Sequence, residues 1–239
     1  MGTLFVVATP IGNLEDITLR AVRILKQVPL VAAEDTRVTR TLFRAHDIHT
    51  RLVSFHEFTS PMRRGQLIER LAEGDVALVS DAGTPGVSDP GFPLIRDALV
   101  AGHAVVPVPG PSSVIAALVA SGLPTHSFCF LGFLPRTTAT RRKLFQQHVD
   151  GELTLIVFES PHRVIAALKD IIVTLGADRP VAIGRELTKR FEEVFRGTAA
   201  SALDHFVERA PRGEFTLVIG GRSAVARSAK PVADRTQAE

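Results

Sequence analysis

The 239 residues, 45% hydrophobic and 22% charged, suffice for one large or two ordinary domains and exclude a globally disordered chain. The single cysteine, Cys129, excludes an internal disulfide and a cysteine-cluster metal site, and no run reaches the ~18 apolar residues of a membrane span. A net charge of +3 favours a polyanionic partner only mildly, and with no Trp or Tyr any base stacking falls to the 14 Phe, to His or to Arg.

Strand and helix patterns alternate along the first half. Thr3–Ala8 reads as a buried strand followed by the turn residues Thr9–Asn13. Ile17, Ala21, Ile24, Leu25 and Val28 recur at helical spacing, with Asp16 the expected N-cap. Leu30–Ala33 is a second strand that ends in Glu34-Asp35-Thr36-Arg37 and leads into a helix over Val38–Ala45. Val53–Phe55 is a third strand, followed by His56-Glu57 and a helix over Met62–Ala72. The fourth strand, Val76–Val79, breaks into Ser80-Asp81 and a loop with Gly83, Gly86, Gly91, Pro85 and Pro90 before a helix over Phe92–Ala101. Val105–Val108 is the fifth, and Pro109-Gly110-Pro111-Ser112-Ser113 opens a helix over Val114–Ala120. This alternation implies right-handed crossovers and a parallel sheet.

Five polar clusters lie at five strand exits, the edge of a parallel sheet where ligands sit. A loop this rich in Gly and Pro is a shaped backbone, and the Asp81 loop is expected to floor a cofactor site. No GxxxxGK[ST] and no GxGxxG is present, and no basic residue lies between Asp81 and Pro93, so neither a P-loop nor a dinucleotide fingerprint applies. An acidic residue in a neutral loop suits a ligand with a positive amine and no phosphate, which is the character of S-adenosylmethionine.

Ser121-Gly122-Leu123-Pro124 reads as the exit from a first domain of residues 1–122 into a second of 123–222. Strands are expected at Phe128–Gly132, Leu153–Phe158, Pro180–Ile183, Glu192–Arg196 and Glu214–Ile219. Helices are expected over Thr140–Val149, Val164–Leu175 and Ala199–Glu208. Neighbouring strands with short links suggest partly antiparallel pairing. The fold class is therefore two-domain: an N-terminal α/β domain with a parallel five-stranded sheet covered on both faces, and a C-terminal α+β domain with a mixed sheet. Residues 223–239 are polar without apolar periodicity and are expected to be a disordered tail. The eight His show no ligand spacing, so no metal is expected. Residues 1–10 lack the pattern of a signal peptide, so a cytoplasmic location is the simplest reading.

Thr9-Pro10-Ile11-Gly12-Asn13-Leu14, Ala33–Arg37, Ser80–Gly91, Ser121–Pro124, Gly132–Pro135, Glu159-Ser160-Pro161-His162-Arg163 and Arg185-Glu186-Leu187-Thr188-Lys189 occur in this order. Over residues 3 to 221 the chain resembles the tetrapyrrole methylase superfamily, in the branch that modifies bacterial small-subunit ribosomal RNA. Phe158 stands where that pattern has Tyr, and Ser113 where it has Ala. The resemblance implies a homodimer that uses S-adenosylmethionine between two domains to methylate a cytidine 2′-oxygen in the decoding region of 16S ribosomal RNA. By motif it implies that the cofactor meets Pro10, Asp81, Thr84, Val87, Ser113 and Val114, with Phe158, Gly184 and Thr216 from the second domain.

A ribose hydroxyl is a poor nucleophile, so a general base would help. Asp35 is the expected base, since the superfamily links an acidic residue at that strand end to proton removal, with Glu34, His56 and Glu159 in reserve. The competing reading of Asp35 is an ion pair with Arg37 or Arg40 that shapes the loop. Arg37, Arg136, Arg141, Arg142 and Lys143, with Lys189 and Arg190 as a second group, are the expected RNA contacts. A tetrapyrrole-precursor methyltransferase and a non-catalytic ribosome assembly or RNA-binding factor are the rival functions.

Overall fold

The computed structural model describes residues 2–224; residues 225–239 of the expected tail lie outside the described residues. The chain separates into two compact units divided between Ser113 and Val114, one helix before the expected boundary at 122/123.

The first unit contains β1 (Thr3–Val7), α1 (Leu19–Gln27), β2 (Leu30–Ala33), α2 (Thr36–Ala45), β3 (Arg51–Ser54), α3 (Pro61–Glu73), β4 (Val76–Val79), α4 (Phe92–Val100) and β5 (Ala104–Val108). All five strands pair in parallel, in the order β3-β2-β4-β1-β5. Successive residues of a strand point to opposite faces, and the apolar runs fill both. Val31, Ala33, Ala77 and Val79 pack with Ala21, Ile24 and Leu25 of α1 and Leu42 and Phe43 of α2. Leu30, Ala32, Val76 and Leu78 pack with Leu67 and Leu71 of α3 and Leu94 and Ala98 of α4. Fully burying one such Leu or Ile contributes about 1.5–3 kcal/mol. The sequence expectation for Asp16 does not hold: it sits in a short 3-10 turn, Leu14–Asp16, and the Thr18 side chain caps α1 by accepting from the Ala21 N–H.

One topological detail positions the site. β4 lies between β2 and β1. The helices that follow β2 and β1 pack on one face, whereas α4, which follows β4, packs on the other. The chain after β4 therefore crosses to the opposite face of the sheet from the chain after either neighbour, the kind of switch point at which ligands sit in open α/β sheets.

The second unit contains α5 (Ser113–Ser121), β6 (Phe128–Phe133), α6 (Thr138–Gln146), β7 (Thr154–Glu159), α7 (Val164–Leu175), β8 (Pro180–Arg185), β9 (Glu193–Thr198), α8 (Ala199–Glu208) and β10 (Phe215–Ile219). Its sheet runs β6-β7-β10-β8-β9, with β6 and β7 parallel and the other pairs antiparallel. Leu155, Val157, Val181, Ile183, Leu217 and Ile219 form one apolar face against α6, α7 and α8. α6 begins two residues before its sequence-based start because Thr137 accepts from the Thr140 N–H and caps it there.

α6 and α7 are also tied by charge. Asp170 of α7 accepts from Arg141 Nε at 2.7 Å and from Arg142 Nε at 2.6 Å, and Arg141 Nη1 donates to the Pro135 carbonyl at 3.2 Å. The Arg141 and Asp170 side chains are 2% and 3% exposed. A buried ion pair adds little net stability over an apolar pair, but removing one partner strands the other charge. Asp170→Asn is therefore expected to destabilise this unit by about 3–5 kcal/mol, read as a lower urea midpoint at unchanged slope.

Candidate active site

Three acidic residues meet where β2 and β4 end side by side. Ala33 pairs with Val79, and the next residues leave the sheet. The Asp81 N–H donates to Glu34 Oε2 at 3.2 Å, and the Asp35 N–H donates to Asp81 Oδ1 at 2.9 Å. Each carboxylate thus satisfies a backbone donor on the neighbouring strand's exit. Burial pushes the Glu34 carboxyl above its ordinary value, opposed by the Asp81 N–H and reinforced by the charges of Asp81, Asp35 and Glu57. Burial raises Asp81 as well, against the Asp35 N–H.

Asp35 behaves differently. Its Oδ1 accepts from the Arg37 N–H at 2.8 Å and caps α2, while its Oδ2 accepts from Arg37 Nη2 at 2.6 Å. The side-chain and backbone hydrogen bonds from Arg37 hold the Asp35 carboxyl down at about 2. A carboxylate that weakly basic gives little driving force for taking a hydroxyl proton. The loop-shaping ion pair is therefore present, and its partner is Arg37.

The Asp81 loop is stapled to the exit of β1. The Thr9 N–H donates to the Gly83 carbonyl at 2.8 Å and the Gly83 N–H returns to the Thr9 carbonyl at 3.0 Å. Thr9 Oγ1 donates to the Ser80 carbonyl at 3.1 Å. Gly83 and Gly86 take φ of 74° and 85°, values that a side chain disfavours. A Cβ on Gly91 would stand 2.8 Å from the Gly86 nitrogen, so the loop closes on itself only with glycine there. The Val87 N–H donates to the Thr84 carbonyl at 3.2 Å, and Val87 is exposed. Pro10 is buried at the β1 exit. Gly110, after β5, lies so close that a Cβ would come within 3.0 Å of the Ala8 Cβ. Ser113 is half-buried and Val114 buried at the start of α5. His56 is exposed in the β3 exit; its N–H donates to Thr59 Oγ1 at 2.8 Å.

In the second unit, the expected residues fall in one row. Thr216 pairs with Phe158 on one side and Gly184 on the other. Directly opposed residues share a face, and by the alternation of β10 this is the face opposite α6, α7 and α8. Phe158 packs edge-on against Phe130 and Phe133, with ring centroids 4.9 and 5.4 Å away. Gly184 leaves room for the Leu187 side chain, whose Cδ1 would stand 2.9 Å from a Cβ there. Glu159 is 2% exposed; it accepts from Arg163 Nη2 at 2.8 Å and from the Ser160 N–H at 2.7 Å, so it anchors the loop after β7.

The basic candidates divide by partner. Arg141 is buried against Asp170 and offers no exposed face to a phosphate; Arg142 is half-exposed but held by the same carboxylate. Lys189 pairs with Glu186 at 3.0 Å and Glu214 at 3.1 Å. Arg136 and Lys143 are exposed, and Arg190 lies 5.6 Å over the Phe191 ring. Arg37 is exposed but bound to Asp35. One residue escaped sequence reasoning: Thr188 has φ 66° and a buried hydroxyl with no partner among the described residues. A β-branched residue in that region is an outlier of the kind found at functional sites. Residue type alone carries no trace of it.

The profile of the Tetrapyrrole (Corrin/Porphyrin) Methylases family matches residues 3–203, and the chain belongs to that family. Within it, the chain is 50% identical over 221 residues to the ribosomal RNA small subunit methyltransferase I of Halalkalibacterium halodurans, covering 92% of this chain and 76% of that protein. It is 45% identical to the protein of that name from Thermotoga maritima, covering 93% of this chain and 100% of the relative. Among solved structures, diphthine synthase superposes with a TM-score of 0.72 at 14% identity, covering 92% and 90% of the two chains. Uroporphyrin-III-C-methyltransferase from Thermus thermophilus gives 0.63 at 22%, covering 97% and 100%. These two likenesses carry the fold alone, and the two-domain class expected from the sequence is the one observed.

Proteins of this fold family typically bind S-adenosylmethionine. The residues of the first unit fit that zwitterion. Asp81, raised by burial, gains from a cationic amine, and no basic side chain in the 81–93 loop competes for it. The close Ala8–Gly110 approach brings the exits of β1 and β5 together, and glycine at 83 and 86 leaves that stretch of backbone uncovered by side chains. Gly91→Ala is expected to force the loop open at a strain of about 1–3 kcal/mol. Calorimetry should then show S-adenosylmethionine affinity lower by roughly five- to a hundredfold, with the unfolding midpoint lowered less than by Asp170→Asn.

Proposed function

We propose that this chain transfers the methyl group of S-adenosylmethionine to the 2′-oxygen of a cytidine ribose in the decoding region of 16S ribosomal RNA. The observation that carries the reading is the 44–50% identity, over 92–93% of this chain, to proteins named ribosomal RNA small subunit methyltransferase I. The cofactor supplies an electrophilic methyl when bound. Pro10, Asp81, Thr84, Val87, Ser113, Val114, Phe158, Gly184 and Thr216 are the residues proposed to hold it. The protein acts as a cytoplasmic homodimer on ribosomal RNA within the small subunit.

Proton removal falls to Glu34. Its carboxyl is pushed up by burial, whereas Arg37 holds Asp35 at about 2. Asp35 then positions Arg37 and caps α2, and Arg37, largely exposed, faces the incoming RNA. Glu159 and His56 are left with structural and surface roles. The base contributes together with orientation, which supplies much of the acceleration in a bimolecular transfer.

Incubation with labelled S-adenosylmethionine and small subunits lacking the modification should place label in 16S RNA as 2′-O-methylcytidine, read by nucleoside mass spectrometry. Label in a tetrapyrrole instead, or no calorimetric heat with the cofactor, would favour one of the two rivals.

The pH profile tests the base. A raised carboxyl is protonated first as pH falls, so single-turnover methylation should drop below the raised Glu34 value. A base at about 2 would leave the rate flat across the ordinary carboxylate range. Arg37→Gln frees Asp35 to rise toward its ordinary value and should leave the acid limb in place. A limb that moves upward with Arg37→Gln would return the role to Asp35.

A further inference from the structure

We infer that the outer face of α2 and the groove beside it form a phosphate rail that guides the RNA strand to the candidate site. The inference rests on the proposed function and adds a surface to it. Arg37, Arg40 and Arg44 recur at spacings of three and four, so they share one exposed face of α2, about 10 Å long. The helix contains no acidic residue.

Among the described residues, neither Arg40 nor Arg44 pairs with a carboxylate. Arg64, Arg70 and Arg96 of this unit do pair, with Asp97 at 2.8 Å, Glu73 at 2.7 Å and Asp97 at 3.2 Å. Arg20 and Arg63, like Arg40 and Arg44, have no carboxylate partner among the described residues; what sets Arg40 and Arg44 apart is their place with Arg37 on one face of α2. Like charges four apart on a helix repel. Arg44, in the last turn, gains from the helix dipole, but Arg40 in the middle does not. The mutual repulsion of the pair has no carboxylate to offset it among the described residues, and a polyanion would supply that offset.

The side chains flank a concavity of about 360 Å³ between α2 and the edge strand β3, walled by Arg40, Arg44, Thr50 and Leu52. Its one acidic lining residue, Asp47, is held by His49 at 2.9 Å. The rail starts beside the candidate site, since Arg37 is bound to Asp35 at the N-cap of the same helix. A phosphodiester backbone, with regularly spaced single charges and no need for base reading, is the partner this spacing fits.

The test compares Arg40→Gln/Arg44→Gln and Arg40→Lys/Arg44→Lys with the unaltered protein, in binding to protein-free 16S RNA and to small subunits across salt concentrations. Two lost phosphate contacts should flatten the log–log salt slope by about 1.4, equivalent to roughly 25-fold weaker binding at 0.1 M salt. S-adenosylmethionine affinity should stay the same, and the Lys variant should keep most of the RNA affinity. An unchanged slope would overturn the rail. So would a Lys variant as weak as the Gln one, a loss seen with subunits but not with free RNA, or a loss that tracks dissociation of an oligomer. If the unaltered protein itself neither binds nor methylates the RNA, the proposed function fails; if it does both and the Gln variant matches it, only the rail fails.

Discussion

The reciprocal grip between the ends of β2 and β4 is the constraint on which the candidate site depends. Glu34 accepts from the backbone of the β4 exit, and Asp81 accepts from the backbone of the β2 exit. Two carboxylates are thereby drawn together, partly out of water, where the chain after β4 crosses to the opposite face from the chain after β2 and β1. Backbone donors offset part of the desolvation, yet both acids stay raised, because a hydrogen bond from a neutral N–H does not cancel burial and like-charge repulsion together. A cation brought to that point relieves what the fold leaves uncompensated.

Arginine partners separate two kinds of acidic residue in this chain. Asp35, Glu159 and Asp170 each hold a guanidinium, and each sits where a helix or loop needs fixing: the start of α2, the turn after β7 and the α6–α7 contact. Glu34 and Asp81 hold backbone only. The distinction matters for chemistry at the β2 exit, since Arg37 lowers Asp35 while burial keeps Glu34 and Asp81 raised.

The second unit shows how a small residue and a strained one shape a row of the sheet. Leu187 folds back over Gly184, and the loop that achieves this passes through left-handed conformations at Glu186 and Thr188. Phe158, Thr216 and Gly184 then lie abreast on three strands, with Phe130 and Phe133 bracing the Phe158 ring. Strain of this kind persists only where surrounding packing fixes it.

Periodicity made most of the architecture legible. Apolar runs too uniform for a one-sided sheet implied the buried parallel strands, and turn residues after each run marked the edge where ligands sit. The glycines of the 83–91 loop also carried their meaning in the sequence, because glycine takes positive φ without the steric cost of a side chain. What periodicity could not reveal was partnership. Arg141 and Arg142 read alike in sequence, yet one turn of α6 buries the first against Asp170 and leaves the second half-exposed. Asp35 and Glu34 are adjacent, and only the position of Arg37 and the approach of Asp81 separate a weak base from a stronger one. Local pattern fixes which face a residue occupies; the distance between residues far apart in the chain fixes its charge state, and that distance exists only once the strands are side by side.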